Sequence, residues 1–555
     1  MVLLDWIVLL ITLTGIVAYG IYKGRKNKNI ESYLLADKAM PWYHVWFSVM
    51  ATQASAVTFL STPGLAYNKG MGFVQFYFGL PLAMIVISIT FIPIYQRLNV
   101  YTAYEFLEKR FDLKTRTLTA ALFLLQRGLS TGISIYAPAI ILSTILQIDI
   151  TITTILMGTL VILYTVWGGS KTVSYTQLLQ MGVIFGGLFV AGIMVVKLLP
   201  ESVGFTDALH LAGKMGKTEV LNFKFDPKNQ YNVWSGLVGG FFLQLSYFGT
   251  DQSQVGRYLT GKNVGESRLG LLLNGLVKIP MQFGILMLGV LVFVYYQYNQ
   301  PPIFFNQYEL EQVKKSEKSA DFSKVESQYQ QVFQEKNQAI LSNHSIGEIN
   351  TLQKQADSLR TEAAKIIKAN HPTADDKDYI FLHFVVNTLP RGMIGLLIAI
   401  IFLAAMGSLA SGLNALGSTT VIDIYKRMIK KEASGEHYLA ASRWITIAWG
   451  IFCIIMAFTA SSFGNLIEAV NVLGSWFYGT ILGVFLVAFY VKRVKNGTSV
   501  FWAALLTEII VIVSYYYEVM AYLWLNVLGC VLVILFSVIL EKVLIKKDLK
   551  DLTTL

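Results

Sequence analysis

Charge is scarce in this chain. Of its 555 residues only 14% are Asp, Glu, Lys or Arg, where a soluble domain carries about a quarter. Cysteine is rarer still. Cys453 and Cys530 are the only two, and both fall inside apolar runs, so no disulfide framework or cysteine metal site is available. The six histidines are scattered without an H-x-x-x-H pair. No Ser/His/Asp, Cys/His or metal-ligand set stands in the apolar segments, which argues against an enzyme. The first apolar run is too long for a signal-peptide core and has no A-x-A site. The net charge of +11 comes without a basic-aromatic surface for nucleic acid.

Apolar length is abundant. Hydrophobic residues make up 54% of the chain, and the mean hydropathy is +0.53. About thirteen segments are long enough to cross a bilayer. They lie near 3–23, 44–67, 72–96, 115–145, 149–168, 171–199, 231–256, 267–298, 380–425, 438–460, 464–491, 497–518 and 520–541. The positive charge is topological. Lys23, Arg25, Lys26 and Lys28 follow the first segment, and Arg97, Lys109, Arg110, Lys114 and Arg116 follow the third. Arg257, Lys262 and Arg268 come next, then Lys426, Arg427, Lys430 and Lys431, then Lys492, Arg493 and Lys495, and finally Lys542, Lys546, Lys547 and Lys550. With thirteen crossings all of these fall on one side. By the positive-inside rule the N-terminus is outside and the C-terminus is in the cytoplasm of a cell-membrane protein.

One segment breaks the pattern. Residues 299–378 are polar, with apolar residues at helical spacing around Tyr308–Ile340 and Ile349–Ile367 and Asn343-His344-Ser345 between them. This reads as a helical hairpin outside the membrane, either capping an outer vestibule or binding a partner.

Two apolar segments are interrupted by polar residues: ATQASAVTFLSTPG from Ala51 to Gly64, and LQLSYFGTDQSQ from Leu243 to Gln254. Breaks at corresponding places in two halves mark an inverted-repeat transporter with a midplane site. Unwound backbone at that depth persists only where it lines a cavity or binds an ion. Carbonyls freed at Ala51 and Ala54 are ligands for a hard cation such as Na⁺. In the stretch Ala404–Lys426, Ser408 and Ser411 share a helix face, and Ala404, Gly407, Ala410 and Gly412 permit close approach. Plain close packing, with the hydroxyls bonded to their own helix, explains that stretch equally well.

Several long motifs resemble the sodium:solute symporter family, which holds glucose, proline, iodide, multivitamin and monocarboxylate carriers. They are SYLLADKAMPW (Ser32–Trp42), SAVTFLSTPGLAY (Ser55–Tyr67), YTAYEFLEKRF (Tyr101–Phe111), YTVWGGSKTVSYTQLLQ (Tyr164–Gln180), GTDQSQVGRYL (Gly249–Leu259) and SLASGLNALGSTTVIDIYK (Ser408–Lys426). The second is nearest the iodide, multivitamin and monocarboxylate branch. The resemblance implies an all-α LeuT-type fold of five-plus-five inverted repeats. Repeat 1 spans 44–199 and repeat 2 spans 231–491, preceded by 1–43, separated by an outer loop at 200–230 and followed by two helices and a tail at 492–555. It implies a Na⁺ site at Ala51, Ala54, Ala404, Gly407 and Ser408, although many members have Ser at the position of Gly407. A second Na⁺ site is lost: Gln177 replaces an acid and Ala410 a hydroxyl, while Ser411 remains. The implied solute residues are Gln53, Thr58, Tyr77, Gln244, Tyr247, Phe248, Lys278 and Asn471, with Phe248 and Trp476 placed to stack on a flat solute. Tyr77 stands where the sugar branch has Glu.

Arg127 and Asp251 lie at membrane depth, where ionisable residues are paired or functional. In sialic-acid members an Arg at the position of Ser130 holds the substrate carboxylate, and Arg127 is one turn below it on the same face. Arg127 pairs with Asp251 or with carbonyls, or binds an anionic solute, or substitutes for the missing second cation near Gln177. The expected function is Na⁺-coupled symport of a small organic solute or anion, one Na⁺ per solute, with the bilayer and solute as partners and no required protein partner. The alternatives are a proton-coupled or uncoupled carrier, or a transporter-like sensor.

Overall fold

In the computed structural model the described residues are 1–24, 35–342, 344–372 and 374–553. Arg25, Lys26, Lys28 and the Ser32–Leu34 start of the first motif lie outside them, as do Asn343 of the hairpin turn and the side chains of Lys23, Lys546, Lys547 and Lys550. No strand occurs among the described residues. Ten helices among the described residues are long and apolar enough to cross a membrane.

After α1 (Leu3–Gly24) the first broken element is α2 (Trp42–Gln53) followed by α3 (Ala56–Lys69). Next come α4 (Met71–Leu98) and α5 (Leu113–Leu146). The backbone of α6 (Ile150–Lys197) is helical throughout. Even so, the Tyr164 hydroxyl lies 2.9 Å from that of Thr176, and twelve residues of straight helix would span about 18 Å. The stretch is therefore not one straight helix, and its two apolar parts are Ile150–Val166 and Thr172–Lys197. The second broken element is α7 (Gly240–Thr250) followed by α8 (Gln252–Tyr258). Then follow α9 (Val264–Tyr298), and, past the polar hairpin of α10 (Ser319–Leu341) and α11 (Ile346–Asn370), α12 (Met393–Ile429). The last four are α13 (Gly435–Ala457), α14 (Leu466–Tyr490), α15 (Gly497–Tyr516) and α16 (Tyr522–Thr553).

Packing between the halves is reciprocal. The first broken element (α2, α3) packs on α9, and the second (α7) packs on α4. The helices α5, α6, α12 and α13 pack on one another around them. Small residues set the closest approaches. A Cβ on Gly270 would meet Val45 at 2.7 Å, and one on Gly289 would meet the Pro63 carbonyl at 2.3 Å. Two contacts in the same order along both helices show that α9 runs parallel to α2 and α3. Pro63 and Gly64 do not break α3. The first break falls earlier, at Ala54 and Ser55, and Gly64 is small because the Lys377 carbonyl lies 2.4 Å from where its Cβ would be.

The hairpin has its own apolar core, which includes Phe322, Val325, Tyr329, Ala356 and Ala363. This explains the helical spacing in an otherwise polar segment. It is tied to the membrane part by Asn337, whose amide donates to the carbonyls of Gln297 and Tyr298 at 3.0 and 3.3 Å. At the other end of the bundle, buried Arg116 bonds Asp423 and Glu108, and Glu108 also meets Arg427 at 3.2 Å.

The close contact at Gly289 has a direct test. Gly289→Ala forces α9 off α3 and should lose about 1–3 kcal/mol, read as a lower melting temperature of the purified protein. Gly284→Ala, on the same helix with nothing within 4 Å, should be neutral or stabilising. Equal effects from the two would contradict the packing.

Candidate functional site

The first break is created by redirected donors. In a continuous helix the amides of Ser55 and Thr58 would serve the carbonyls of Ala51 and Ala54. Instead Ser55 N–H donates to Gln53 at 3.1 Å and Thr58 N–H to Ser55 at 2.9 Å. The Ala51 and Ala54 carbonyls thus lose their helical donors at the level where α2 and α3 face α12. Across from them, the Ser408 hydroxyl donates to Ala404 O at 2.9 Å and to Ala405 O at 3.2 Å. A hydroxyl that has given its proton to its own helix keeps its lone pairs for a cation.

One turn away is a buried polar joint. The Gln177 amide nitrogen donates to Thr52 Oγ1 at 3.2 Å, to the Gly407 carbonyl at 3.1 Å and to Ser411 Oγ at 3.2 Å. Its oxygen accepts from Ser48 Oγ at 2.6 Å, and Thr52 Oγ1 lies 3.0 Å from Ser411 Oγ. One neutral side chain therefore ties α2, α6 and α12 together. Ala410 is fully buried beside this joint. A Cβ on Gly407 would sit 2.7 Å from Gln180 Oε1, so the serine common in the family would require the end of the Gln180 side chain to shift.

The second break is built on a carboxylate. Asp251 Oδ1 caps α8 by accepting from Ser253 N at 2.9 Å and Ser253 Oγ at 2.6 Å. Its Oδ2 takes the Tyr478 hydroxyl at 3.0 Å and the Arg127 guanidinium. Arg127 also reaches Tyr478 Oη at 3.0 Å and lies over the Tyr247 ring, 5.4 Å from its centroid.

Between the breaks lies a cavity of about 70 Å³ walled by Gln53, Thr58, Tyr77, Arg127, Gln244, Tyr247 and Asn471, all of them residues the sequence analysis assigns to a solute site. Arg127 pairs with Asp251, one of the roles considered for it, and its side chain also lines the cavity. Two expected residues stand behind the wall. Phe248 is buried against Tyr247 with ring centroids 4.9 Å apart. Lys278 sits 5.5 Å from the centroid of the Tyr77 ring. Trp476 packs on Tyr515 instead, 5.1 Å between centroids. Ser55, Phe76, Leu243, Ile467 and Val470 also line the cavity, as does Tyr478. Tyr478 carried a readable signal: it is two turns from Asn471 and so on the same face. Glu508, buried on α15 with both carboxylate oxygens unpartnered among the described residues, is a second membrane-depth acid that composition did not single out.

Paired broken helices around a midplane cavity are the architecture of a LeuT-type secondary transporter. A solved structure of a Na⁺-coupled sialic acid symporter in a substrate-bound outward-open state shares this fold, with a TM-score of 0.75, 22% identity and 98% of each chain covered. The chain belongs to the sodium:solute symporter family, whose sequence pattern matches residues 33–306 and 358–507. It is similar to a putative sodium-dependent multivitamin transporter of Drosophila melanogaster, 25% identical over 89% of this chain and 72% of that protein. It is also similar to the sodium/sialic acid symporter NanT of Aliivibrio fischeri, 25% identical over 89% and 85%. Similarity to the human sodium/iodide cotransporter reaches 30% over 52% of this chain and 44% of that one. The activity is Na⁺-coupled symport of a solute across a membrane. Residues 307–357, most of the hairpin, lie outside the family pattern.

The Arg127–Asp251 pair sets a double-mutant test. Arg127→Leu and Asp251→Asn singly leave an uncompensated buried charge and should each cost about 3–5 kcal/mol, read as lost folded yield. The double variant should recover most of that yield. Losses that simply add would show that the pair is not coupled.

Proposed function

We propose that this symporter moves one Na⁺ with each small organic anion by alternating access. The observation that carries the stoichiometry is the Gln177 amide, bonded to Thr52, Ser411 and Gly407. Its NH₂ group points donors at three oxygens, as a cation would, and needs no ion to do so. Na⁺ then has one place left, between the carbonyls of Ala51, Ala54 and Ala404 and the Ser408 hydroxyl, with Gly407 supplying no side-chain ligand. Binding there joins α2 and α3 to α12 and stabilises the solute-competent state. By linkage the solute raises Na⁺ affinity by the same factor.

Charge supports an anionic solute. Around the cavity Arg127 is balanced by Asp251, while Lys278 is fully buried and has no hydrogen-bond partner among the described residues. A buried amine without a partner tends to lose its charge unless an anion stands near, and a monoanion in the cavity beyond Tyr77 would be such a partner. The energetics differ from those of a neutral solute. One Na⁺ moving through 100 mV gains about 2.3 kcal/mol, or roughly fortyfold concentrating power. A monoanion carried with it cancels the charge, so the Na⁺ gradient alone drives uptake. A proton-coupled carrier would route through Asp251, which is already committed to Arg127, Tyr478 and Ser253.

The spans are read as two repeats, 44–199 and 231–491, with the hairpin outside the cell membrane. The Arg116, Glu108 and Arg427 cluster then faces the cytoplasm together with the C-terminus. Solute and lipid are the partners required.

Two substitutions test the sodium assignment. Ser408→Ala removes one ligand and should weaken apparent Na⁺ affinity about tenfold, near 1.5 kcal/mol, with the fold intact. Gln177→Asp replaces the amide by a carboxylate and should move the Hill coefficient for Na⁺ from near one towards two. Wild-type Na⁺ dependence in both variants would place sodium elsewhere.

A further inference from the structure

A second chamber, of about 360 Å³, lies between the hairpin and the membrane helices. Helix α14 places it. Asn465 and Glu468 line this chamber, and Ile467, Val470 and Asn471 line the central cavity. Glu468 and Asn471 are three residues apart, about one turn or 5 Å along the helix. The chamber therefore sits directly over the central cavity, on the side of the hairpin.

Its charges are unequal once pairs are removed. Lys69 bonds Glu468 at 2.8 Å, Arg360 bonds Asp376 at 2.9 Å, and Lys377 lies 3.8 Å from Asp375. Lys217, Lys368 and Asp357 are left, so the lining carries a surplus of one positive charge. Lys217 is the built element. Its ammonium donates to the Asn68 carbonyl at 2.6 Å and rests over the Phe293 ring, 4.7 Å from the centroid. It has no carboxylate within ion-pair distance among the described residues. Burial holds this amine below the ordinary lysine value, with Asp357 opposing. Leu65, Phe293 and Phe304 give the chamber an apolar wall beside that ammonium.

We propose that this chamber is a binding site for a small carboxylate with an apolar body, held by Lys217 and Lys368, with its apolar side on Phe293. The Lys69–Glu468 pair then acts as the bar between the two sites. It joins the end of α3 to the start of α14, and Tyr231 Oη holds Glu468 from the side at 3.0 Å. Opening it separates Lys69 from Glu468 without changing the net charge, and leaves the Lys69 ammonium available to a passing carboxylate. Because Gln353 and Asp357 come from the segment absent from the family pattern, the site is a feature of the hairpin and not of the sodium joint. It rests on the reading of an anionic solute only for its purpose, not for its binding.

The test uses the full-length protein in lipid nanodiscs with Thr361→Cys as reporter. The native Cys453 and Cys530 are buried. The probes are 4-fluorobenzoate and neutral 4-fluorobenzamide. Anionic sulfonatoethyl methanethiosulfonate should label Thr361→Cys at least about threefold faster than its trimethylammonium analogue. 4-Fluorobenzoate should slow labelling and 4-fluorobenzamide should not. Adding Lys217→Gln and Lys368→Gln should weaken protection about fivefold or more and remove the charge preference. Protection should persist in Na⁺-free buffer, which separates this site from the sodium-coupled one. A control at Lys365→Cys, outside the chamber, should show no protection. Labelling indifferent to reagent charge, equal protection by the amide, or protection surviving the double Lys→Gln change would each overturn the proposal.

Discussion

The Gln177 amide is the constraint on which the rest of the transporter depends. A helix interrupted in the middle of a bilayer exposes carbonyls whose desolvation costs several kcal/mol each. Here the interruption is held by a side chain that meets α2 and α12 from α6. The amide offers two N–H donors shared among three oxygens and has one oxygen for Ser48. This satisfies the joint with no ion, no carboxylate and no net charge. It also accounts for one departure from the family pattern, since an acid at 177 would need a cation.

The second break is stabilised by different chemistry. Asp251 caps a helix with one oxygen and holds Arg127 and Tyr478 with the other. The first break is neutral and leaves carbonyl oxygen available for a cation. The second is an ion pair that presents a guanidinium to the cavity. On the proposed reading they divide the charges across one small cavity, with the cation on the α12 side and the anion on the α5 side. Lys278 behind Tyr77 adds to the anion side.

Much of this was readable in sequence because membrane depth makes polar residues informative. Gln53, Ser55 and Asp251 had to mark breaks or sites, since hydrocarbon tolerates neither idly placed. The hairpin was readable because its apolar residues repeat at helical spacing. The carbonyls read as freed, Ala51 and Ala54, lie at the break itself. Pro63-Gly64 just beyond leaves α3 intact, because a proline within a packed helix is tolerated when its neighbours supply the contacts, and Gly289 and Lys377 do so. Phe248 and Lys278 came to the pocket through the resemblance and Trp476 through its residue type; here the first two stand behind the wall and Trp476, on α14, packs against Tyr515 of α15. Tyr478 was missed because its role depends on Asp251 and Arg127, which are 227 and 351 residues away in the chain. The chamber under the hairpin was invisible for the same reason: its lysines are distributed over three separate segments.

The central claim is that one sodium ion moves with each solute because an amide occupies the position of the second. The most direct measurement is the coupling ratio in proteoliposomes. A thermal-shift screen with and without Na⁺, covering monocarboxylates, vitamins, sugars, amino acids and halides, first identifies a solute. Parallel uptake of ²²Na⁺ and that labelled solute then gives the ratio. A ratio of one, with rates unchanged by an imposed membrane potential, is the expected result. A ratio of two would contradict it, because a second ion would then have to displace the Gln177 amide from Thr52, Ser411 and Gly407.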